Sequence, residues 1–161
     1  MNKIFLGMLV VVALVGTACA ADAKILVAVF SRADENYSVG YIEKGNTMIL
    51  AEMIRDKTNA DFFEIAPKVK YSADYQTCID VAKKEQNRRA RPEILEDKDI
   101  SEYDIIFLGY PIWWGDLPMC VFTFLEAHDW KGKTIIPFCT HEGSGISGTE
   151  RSIRNAAKGS E

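Results

Sequence analysis

The 161-residue sequence is 48% hydrophobic and 26% charged, a composition typical of one globular domain with a substantial core. Its formal net charge is −4, and its one short basic run lies close to acidic residues, which argues against a nucleic-acid-binding protein. The four cysteines show no C-x-x-C spacing, so the sequence indicates neither a zinc site nor a disulfide framework.

The N-terminal segment has the features of a secretory signal peptide. Lys3 is the only charged residue in residues 1–20, and an apolar run spans residues 4–15. Small residues follow this run and place Ala18 and Ala20 in an A-x-A arrangement. We therefore expect a signal peptide and an exported protein, located in the periplasm or on the outer face of the membrane.

Two ways of processing this segment remain open. Cleavage before Ala21 would release residues 21–161 as the mature domain, and the loss of Lys3 would change the formal net charge from −4 to −5. Alternatively, Cys19 could carry a lipid and attach the protein to a membrane through its N-terminus. Gly16 stands where bacterial lipoprotein signals usually have a branched aliphatic residue, which favours simple cleavage.

From residue 24 onward, the hydrophobic pattern predicts alternating strands and helices. The first strand has no polar face, as is typical of the centre of a parallel sheet, whereas the second alternates and suits an edge. Such an alternation predicts an α/β fold with a parallel sheet and right-handed crossovers. The predicted strands are 24–30, 61–65, 104–109 and 133–139. Of the four predicted helices, the first begins at Asn46, and the other three span 71–89, 119–126 and 149–157.

Three unusual loops follow predicted strands, and in a parallel sheet they emerge at the same edge. The first loop ends in Gly45-Asn46-Thr47 at a predicted helix N-terminus. Free amides and the helix dipole make such a terminus a phosphate site, with Ser31 as an additional donor. Gly-Asn-Thr is also an ordinary helix cap, so this motif alone is a weak signal.

The second loop contains two adjacent tryptophans held between prolines. Trp113 and Trp114 follow Pro111, and Gly115 permits a tight turn. Either indole alone could pack into the core, but two in succession favour an aromatic face for a planar ring. The third loop, residues 140–145, supplies backbone donors at its two glycines. Together the three loops fit a phosphorylated flavin, flavin mononucleotide (FMN).

Several of these segments together resemble the flavodoxin family, in particular its bacterial flavodoxin-like branch. The most specific are Tyr-Pro-Ile-Trp-Trp-Gly at 110–115 and Thr-His-Glu-Gly-Ser-Gly at 140–145, and Phe-Ser-Arg at 30–32 and Gly-Asn-Thr at 45–47 agree with them. The resemblance extends from about residue 24 to the end. It implies a flavodoxin-like three-layer sandwich with strand order 2-1-3-4-5 and non-covalent binding of FMN.

The resemblance also implies which residues would contact the cofactor. One group would hold the phosphate, a second would flank the ribityl chain and the isoalloxazine ring, and a third would close the other side. These groups are Ser31, Gly45, Asn46 and Thr47; Pro111, Ile112, Trp113, Trp114 and Gly115; and Thr140, His141, Glu142, Gly143, Ser144 and Gly145.

The sequence departs from the family pattern in two places. Residues 33–44, which include Tyr37 and Tyr41, intervene in the phosphate loop, and we favour a floppy surface loop over a lid for this insertion. The chain also stops where the family continues into a fifth strand and a final helix. We therefore expect a truncated domain, with the fourth strand as an exposed edge and one face of the sheet uncovered.

The resemblance implies an electron-transfer protein, and together with the signal-peptide features it predicts an exported one that exchanges electrons with a redox partner protein or a small quinone-like acceptor. One alternative is an FMN-dependent NAD(P)H or quinone reductase, and another is a truncated fold that no longer binds flavin. Near a bound ring, Asp116 and Glu142 would lower the flavin's reduction potential by Coulomb repulsion. We expect His141 to form local hydrogen bonds, and we assign no catalytic or metal-binding residue.

Overall fold

The computed structural model describes residues 23–161, so the predicted signal peptide and the possible lipid site at Cys19 lie outside the described residues. The strands are β1 (Ile25–Val29), β2 (Asp34–Asn36), β3 (Gly40–Ile42), β4 (Asp61–Glu64), β5 (Ile105–Pro111) and β6 (Thr134–Thr140). The helices are α1 (Asn46–Thr58), α2 (Tyr75–Arg88), α3 (Met119–Ala127) and α4 (Thr149–Ala156). None of the helices in the described range is long and apolar enough to cross a membrane.

Four of the strands form one parallel sheet in the order β4-β1-β5-β6. The predicted α/β fold with a parallel sheet is therefore confirmed, and the second predicted strand lies at an edge as expected. The central strands β1 and β5 are rich in branched aliphatic residues and are largely buried, because helices cover both faces of a parallel sheet.

The alternation of side chains along the strands divides the core between the two faces. On one face, Leu26 and Ala28 of β1 pack in the larger hydrophobic cluster together with residues of α2, α3 and α4. On the other face, Val27 and Val29 pack against α1. Since α1 is the only helix in this second cluster of the described chain, part of that face stays accessible, and Ile136 of β6 is 38% exposed.

The strand β6 forms the other edge of the described sheet. Pro137, which cannot donate a ladder hydrogen bond, is accommodated in this edge strand. At the start of the strand, the Glu161 amide donates to the Lys133 carbonyl (2.9 Å), and the Glu161 carbonyl accepts from the Ile135 amide (3.0 Å). The last residue of the sequence thus satisfies two backbone groups along this edge.

Two predicted boundaries differ from the structure. The strand β5 continues through Pro111, so Tyr110 is a buried strand residue and not part of the loop. The helix α2 begins at Tyr75 rather than at Tyr71, because the Asp74 carboxylate accepts a hydrogen bond from the Thr77 amide (2.7 Å) and caps the helix. Tyr71 instead precedes the helix and is buried in the core.

The insertion at residues 33–44 forms an antiparallel hairpin of β2 and β3, so the expectation of a floppy surface loop is wrong. The hairpin is fastened to the start of α2. The Glu35 amide donates to the Ala73 carbonyl (3.3 Å), and the Glu35 carboxylate accepts from the Tyr75 amide (3.0 Å). These bonds connect residues 38 to 40 positions apart, which is why the local sequence pattern did not show them.

Candidate functional site

A cavity of about 300 Å³ opens at the carboxyl edge of the sheet, where the three loops meet. We call it the edge cavity. Eight of the fifteen predicted site residues line it: Asn46, Pro111, Ile112, Trp113, Trp114, Thr140, His141 and Glu142. The other seven do not line its wall, and the structure gives several of them a supporting role.

The N-terminus of α1 is built by close approach of the backbone. Ser31 Oγ accepts a hydrogen bond from the Met48 amide (3.0 Å), so this side chain caps the helix from the end of β1. Gly45 has ordinary backbone angles (φ −63°, ψ 143°), but a Cβ atom there would overlap Ser31 Oγ and the Arg32 carbonyl. The glycine is therefore required by packing and not by backbone conformation.

Thr47 connects the first loop to the third. It is 2% exposed, and its hydroxyl lies 2.6 Å from the hydroxyl of Thr140 at the end of β6. This contact joins residues 93 positions apart and places the N-terminus of α1, the predicted phosphate site, beside the third loop. The predicted meeting of these two loops is thus observed directly.

Both tryptophans of the second loop belong to a tight turn that spans residues 113–116. The Trp113 amide donates to the Asp116 carbonyl (2.9 Å), and the Asp116 amide donates back to the Trp113 carbonyl (3.1 Å). Trp114 and Gly115 have positive φ angles of 51° and 77°, as the two central residues of a type I′ turn require. Gly115 therefore shapes the loop and does not line the edge cavity.

The side chain of Trp113 lies between the core and the edge cavity. Its ring packs edge-on against Phe30 (centroids 5.2 Å apart, 88°) and Tyr71 (5.0 Å, 81°). The Tyr71 hydroxyl in turn donates to the Glu85 carboxylate (2.6 Å), and burial raises the pKa of both groups. This partly buried hydrogen bond holds the Tyr71 ring, against which Trp113 packs.

Trp114 is 49% exposed and is anchored to α2. Its indole Nε1 donates to the Ile79 carbonyl (3.0 Å), and the Lys83 ammonium lies 4.8 Å from its ring centroid, within cation–π distance. The Gln86 amide also donates to the Trp114 carbonyl (3.1 Å). The two indoles therefore differ in surroundings, although both line the edge cavity as predicted.

The third loop contributes its first residues to the edge cavity and turns away afterwards. His141 is exposed, and its Nδ1 accepts from the Gly143 amide (3.1 Å), which is the local hydrogen bond that was expected. Gly143 and Gly145 have positive φ angles, and Ser144 is exposed outside the cavity wall. Glu142 is the residue of this loop that places a carboxylate at the cavity.

Asp116 occupies a different position from Glu142. One of its carboxylate oxygens accepts from the Ser152 hydroxyl of α4 (3.1 Å), and the other from the Leu117 amide (2.8 Å). It does not line the edge cavity. Of the two carboxylates expected near a bound ring, Glu142 thus lines the edge cavity and Asp116 does not.

Sequence reasoning missed the wall formed by α2 and the hairpin. Tyr75, Cys78, Ile79 and Ala82 line the cavity from α2, at the i, i+3, i+4, i+7 spacing of a single helix face. That spacing was the signal in the sequence that could have identified this face. Burial raises the pKa of the Cys78 thiol.

The hairpin contributes the remaining part of this wall. Arg32, at its base, and Asn36, Tyr37 and Val39 line the cavity. The ring of Tyr37 packs on that of Tyr75 in α2, with the ring centroids 6.1 Å apart and an interplanar angle of 33°. This contact makes the hairpin and α2 one continuous wall. No local pattern could have placed these residues at the cavity, because their position depends on the docking of the hairpin onto α2.

The fold and site together define a class of protein. A doubly wound parallel sheet, with a helix N-terminus and an aromatic wall at the carboxyl edge, is the arrangement with which α/β proteins bind nucleotides. A family model described as flavodoxin matches residues 24–160. The chain therefore belongs to the flavodoxin family, whose cofactor is FMN.

Solved structures agree with this assignment. A candidate flavoprotein from Bacteroides eggerthii is 33% identical, with 87% of this chain and 86% of that chain covered and a TM-score of 0.72. A second, from Bacteroides uniformis, is 32% identical, with 85% and 84% covered and a TM-score of 0.71. A flavoprotein from Lactobacillus acidophilus, solved in complex with FMN, shares the fold at 22% identity, 86% and 89% coverage and a TM-score of 0.66. No curated protein matches the chain.

Proposed function

We propose that this protein binds FMN non-covalently in the edge cavity and carries electrons between redox partners outside the cytoplasm. The observation that carries the proposal is the meeting, in one cavity, of an α1 N-terminus with free amides and a wall of aromatic side chains. Membership of the flavodoxin family and the FMN complex of the Lactobacillus acidophilus structure support the identity of the ligand.

The α1 terminus has the chemistry that a phosphate needs. Its first turn contains no acidic residue, and its N-cap, Gly45, makes no side-chain hydrogen bond. Among residues 23–161, the amides of Asn46 and Thr47 have no hydrogen-bond partner. Backbone donors and the positive end of the helix dipole therefore remain available to an anion.

The walls of the cavity fit a planar ring. Trp113, Trp114 and Ile112 line it together with Tyr37 and Tyr75, whose rings pack on each other. Large aromatic surfaces bind a ring by apolar contact and offset stacking, and they exclude water from it. The bound flavin would supply the redox chemistry, whereas the residues of the chain orient it and set its electrostatic surroundings.

A titration of the purified protein with FMN tests the proposal. We expect quenching of flavin fluorescence that saturates near one flavin per chain, because aromatic side chains line the site. Trp113→Ala and Trp114→Ala should each weaken binding, whereas Val69→Ala, at an 83% exposed residue away from the cavity, should leave it unchanged. A folded protein that leaves FMN fluorescence unaltered would refute FMN binding and favour a fold that no longer binds flavin.

The role as a carrier is tested separately from binding. Our proposal is that a redox partner protein or a small quinone-like acceptor exchanges electrons with the bound flavin. Steady-state oxidation of NADPH by the FMN-loaded protein with a quinone should then be negligible without a partner protein. Rapid turnover in that assay would instead identify an NAD(P)H or quinone reductase.

Export is the third part of the proposal, and it rests on the signal-peptide features of residues 1–20. Expression of the full chain in a bacterium, followed by fractionation, should recover the protein outside the cytoplasm. The mass of the mature N-terminus distinguishes cleavage before Ala21 from lipidation at Cys19. Cys19→Ser should abolish membrane association if a lipid is attached and should change nothing if cleavage is simple. A full-length cytoplasmic product would contradict export.

A further inference from the structure

A hydrogen-bonded pair of side chains lies directly behind the aromatic wall of the edge cavity. Trp113 lines the cavity, and its ring packs edge-on against that of Tyr71, with the centroids 5.0 Å apart. Tyr71 is 8% exposed and lies outside the cavity wall, and its hydroxyl donates to the Glu85 carboxylate (2.6 Å). The three side chains are thus in contact in series, from the cavity into the core.

The two rings of this series are of the kinds that lose an electron most readily. Indole and phenol are oxidised by one electron more easily than the other side-chain rings of proteins. An oxidised phenol is a strong acid, so its oxidation requires a base within hydrogen-bond reach of the hydroxyl. Glu85 meets this requirement, because its carboxylate already accepts the hydroxyl hydrogen of Tyr71.

The surroundings of Glu85 suit it to receive that proton. Burial raises the pKa of its carboxyl group, which makes the carboxylate a stronger base than an exposed one. Among residues 23–161, Glu85 takes part in no ion pair that would hold it in the charged form. Burial also raises the pKa of the neighbouring Cys120 thiol, which therefore keeps its own proton.

We infer that Tyr71 and Glu85 form a proton-coupled electron donor, which reduces Trp113 again after a one-electron oxidation at the edge cavity. This inference rests on the proposed function, because the oxidant that we name is a bound flavin that has absorbed blue light. Trp113 gives one electron to that flavin, and Tyr71 then gives one electron to Trp113 while its hydroxyl proton passes to the Glu85 carboxylate.

The two transfers balance and move the oxidation away from the flavin. Overall, one electron passes from Tyr71 to the flavin, and one proton passes from the Tyr71 hydroxyl to Glu85. The electron's return to Tyr71 reverses both transfers. Because Tyr71 lies behind Trp113 and must recover its proton, we expect this return to be slower than a direct return to Trp113.

Flash photolysis of the FMN-loaded protein tests the relay. The protein is titrated with FMN in the dark and then excited with a blue laser pulse. Transient absorption follows the radicals, and electron paramagnetic resonance of samples frozen under illumination identifies a tyrosyl radical. We expect a tryptophan radical that decays as a tyrosyl radical forms, more slowly in D₂O than in H₂O. Tyr71→Phe, which keeps the ring, should abolish the tyrosyl radical and hasten the return of the electron.

Tyr103→Phe is the matched control. Tyr103 is 1% exposed and its hydroxyl donates to the Asp61 carboxylate (2.7 Å), but neither residue lines the edge cavity. This substitution should leave the tyrosyl radical unchanged. Glu85→Gln should lower the yield of the radical, because a neutral amide cannot take up the proton, whereas Asp61→Asn should not. If Tyr71→Phe does not fold, Glu85→Gln supplies the test, since it leaves both rings in place.

Two results would overturn the inference. A tyrosyl radical that survives Tyr71→Phe and disappears in Tyr75→Phe would assign the donated electron to the cavity wall itself. A tyrosyl radical whose formation is the same in Glu85→Gln and in D₂O would show that no proton passes to Glu85. Circular dichroism and thermal unfolding establish beforehand that each variant is folded.

A flavin-free measurement separates the relay from the proposed function. Azide radicals made by pulse radiolysis oxidise tryptophan in preference to tyrosine and need no bound flavin. We expect an intramolecular phase in which a tryptophan radical gives way to a tyrosyl radical, and Trp113→Phe and Tyr71→Phe should each remove it. A protein that binds no FMN but shows this phase would refute the proposed function and support the relay. A protein that binds FMN and forms no Tyr71 radical in either experiment would refute the relay alone.

Discussion

The close packing at Gly45 makes a quantitative prediction about both stability and binding. In Gly45→Ala, the new methyl group would overlap Ser31 Oγ and also the carbonyl of Arg32. A side-chain oxygen can rotate away, but a backbone carbonyl moves only if the chain moves with it. Overpacking of this kind costs about 1–3 kcal/mol of unfolding free energy. For a domain of this size, that corresponds to a fall in Tm of about 2–12 °C.

The same substitution should weaken FMN binding, because relief of the overlap shifts the start of α1. The assay combines thermal and chemical unfolding with the FMN titration. Ser31→Ala serves as the reference variant, since it removes the acceptor of the Met48 amide and should lower stability by about 0.5–2 kcal/mol, as the loss of a cap does.

A double variant separates the two overlaps. If the hydroxyl of Ser31 caused the whole effect, Ser31→Ala combined with Gly45→Ala would be no less stable than Ser31→Ala alone. Because the Arg32 carbonyl remains in place, we expect the double variant to be about 1 kcal/mol or more less stable than Ser31→Ala. An unchanged Tm and FMN affinity in Gly45→Ala would refute the reasoning.

Three further predictions concern charge and accessibility. In an equilibrium redox titration, Glu142→Gln should raise the reduction potential of bound flavin, and Asp116→Asn should raise it less, because Glu142 lines the cavity and Asp116 does not. Equal effects of the two substitutions would contradict this geometry. Asp74→Ala should lower stability at neutral pH, whereas Asp74→Asn should retain much of the cap. The hydrogen bond that Asp74 accepts lowers its pKa, so the carboxylate stabilises the folded protein fully above the pKa of the unfolded chain. In urea unfolding, the loss of stability caused by Asp74→Ala should therefore become smaller as the pH falls through the folded-state pKa of Asp74. A loss that does not depend on pH would refute this assignment. Cys139, the least buried of the three described thiols, should be alkylated before Cys78, and FMN should slow the reaction of Cys78 further; rapid labelling of Cys78 by mass spectrometry in the presence of FMN would contradict its place in the cavity wall.

Much of the fold follows from local pattern. The run of β-branched and apolar residues in β1 forms a strand wherever it is buried on both sides, and the Gly45-Asn46-Thr47 sequence marks a helix start by its own chemistry. The alternation of strands and helices then leaves few topologies, and the parallel sheet agrees with that expectation. The loops at the carboxyl edge could therefore be predicted to meet, and residues of all three line one cavity.

The exact ends of elements could not be obtained in the same way. The strand β5 continues through Pro111 because β6 pairs with it up to Thr140, a contact that no local window contains. The sequence around Tyr71 predicts the first turn of a helix, but in the structure Tyr71 packs in the core against Trp113 and Phe30. In both cases tertiary packing outweighs local propensity.

The sequence by itself determined the strands, the helix terminus and the aromatic loop, because each depends on residues that are neighbours along the chain. Only the tertiary structure decided that the hairpin and one face of α2 complete the edge cavity. The deciding contacts, such as those from Arg32 to Ser72 and from Glu35 to Tyr75, join residues 40 positions apart. Their free energy arises only when the whole sheet brings the two segments together, so no pattern within either segment could reveal them.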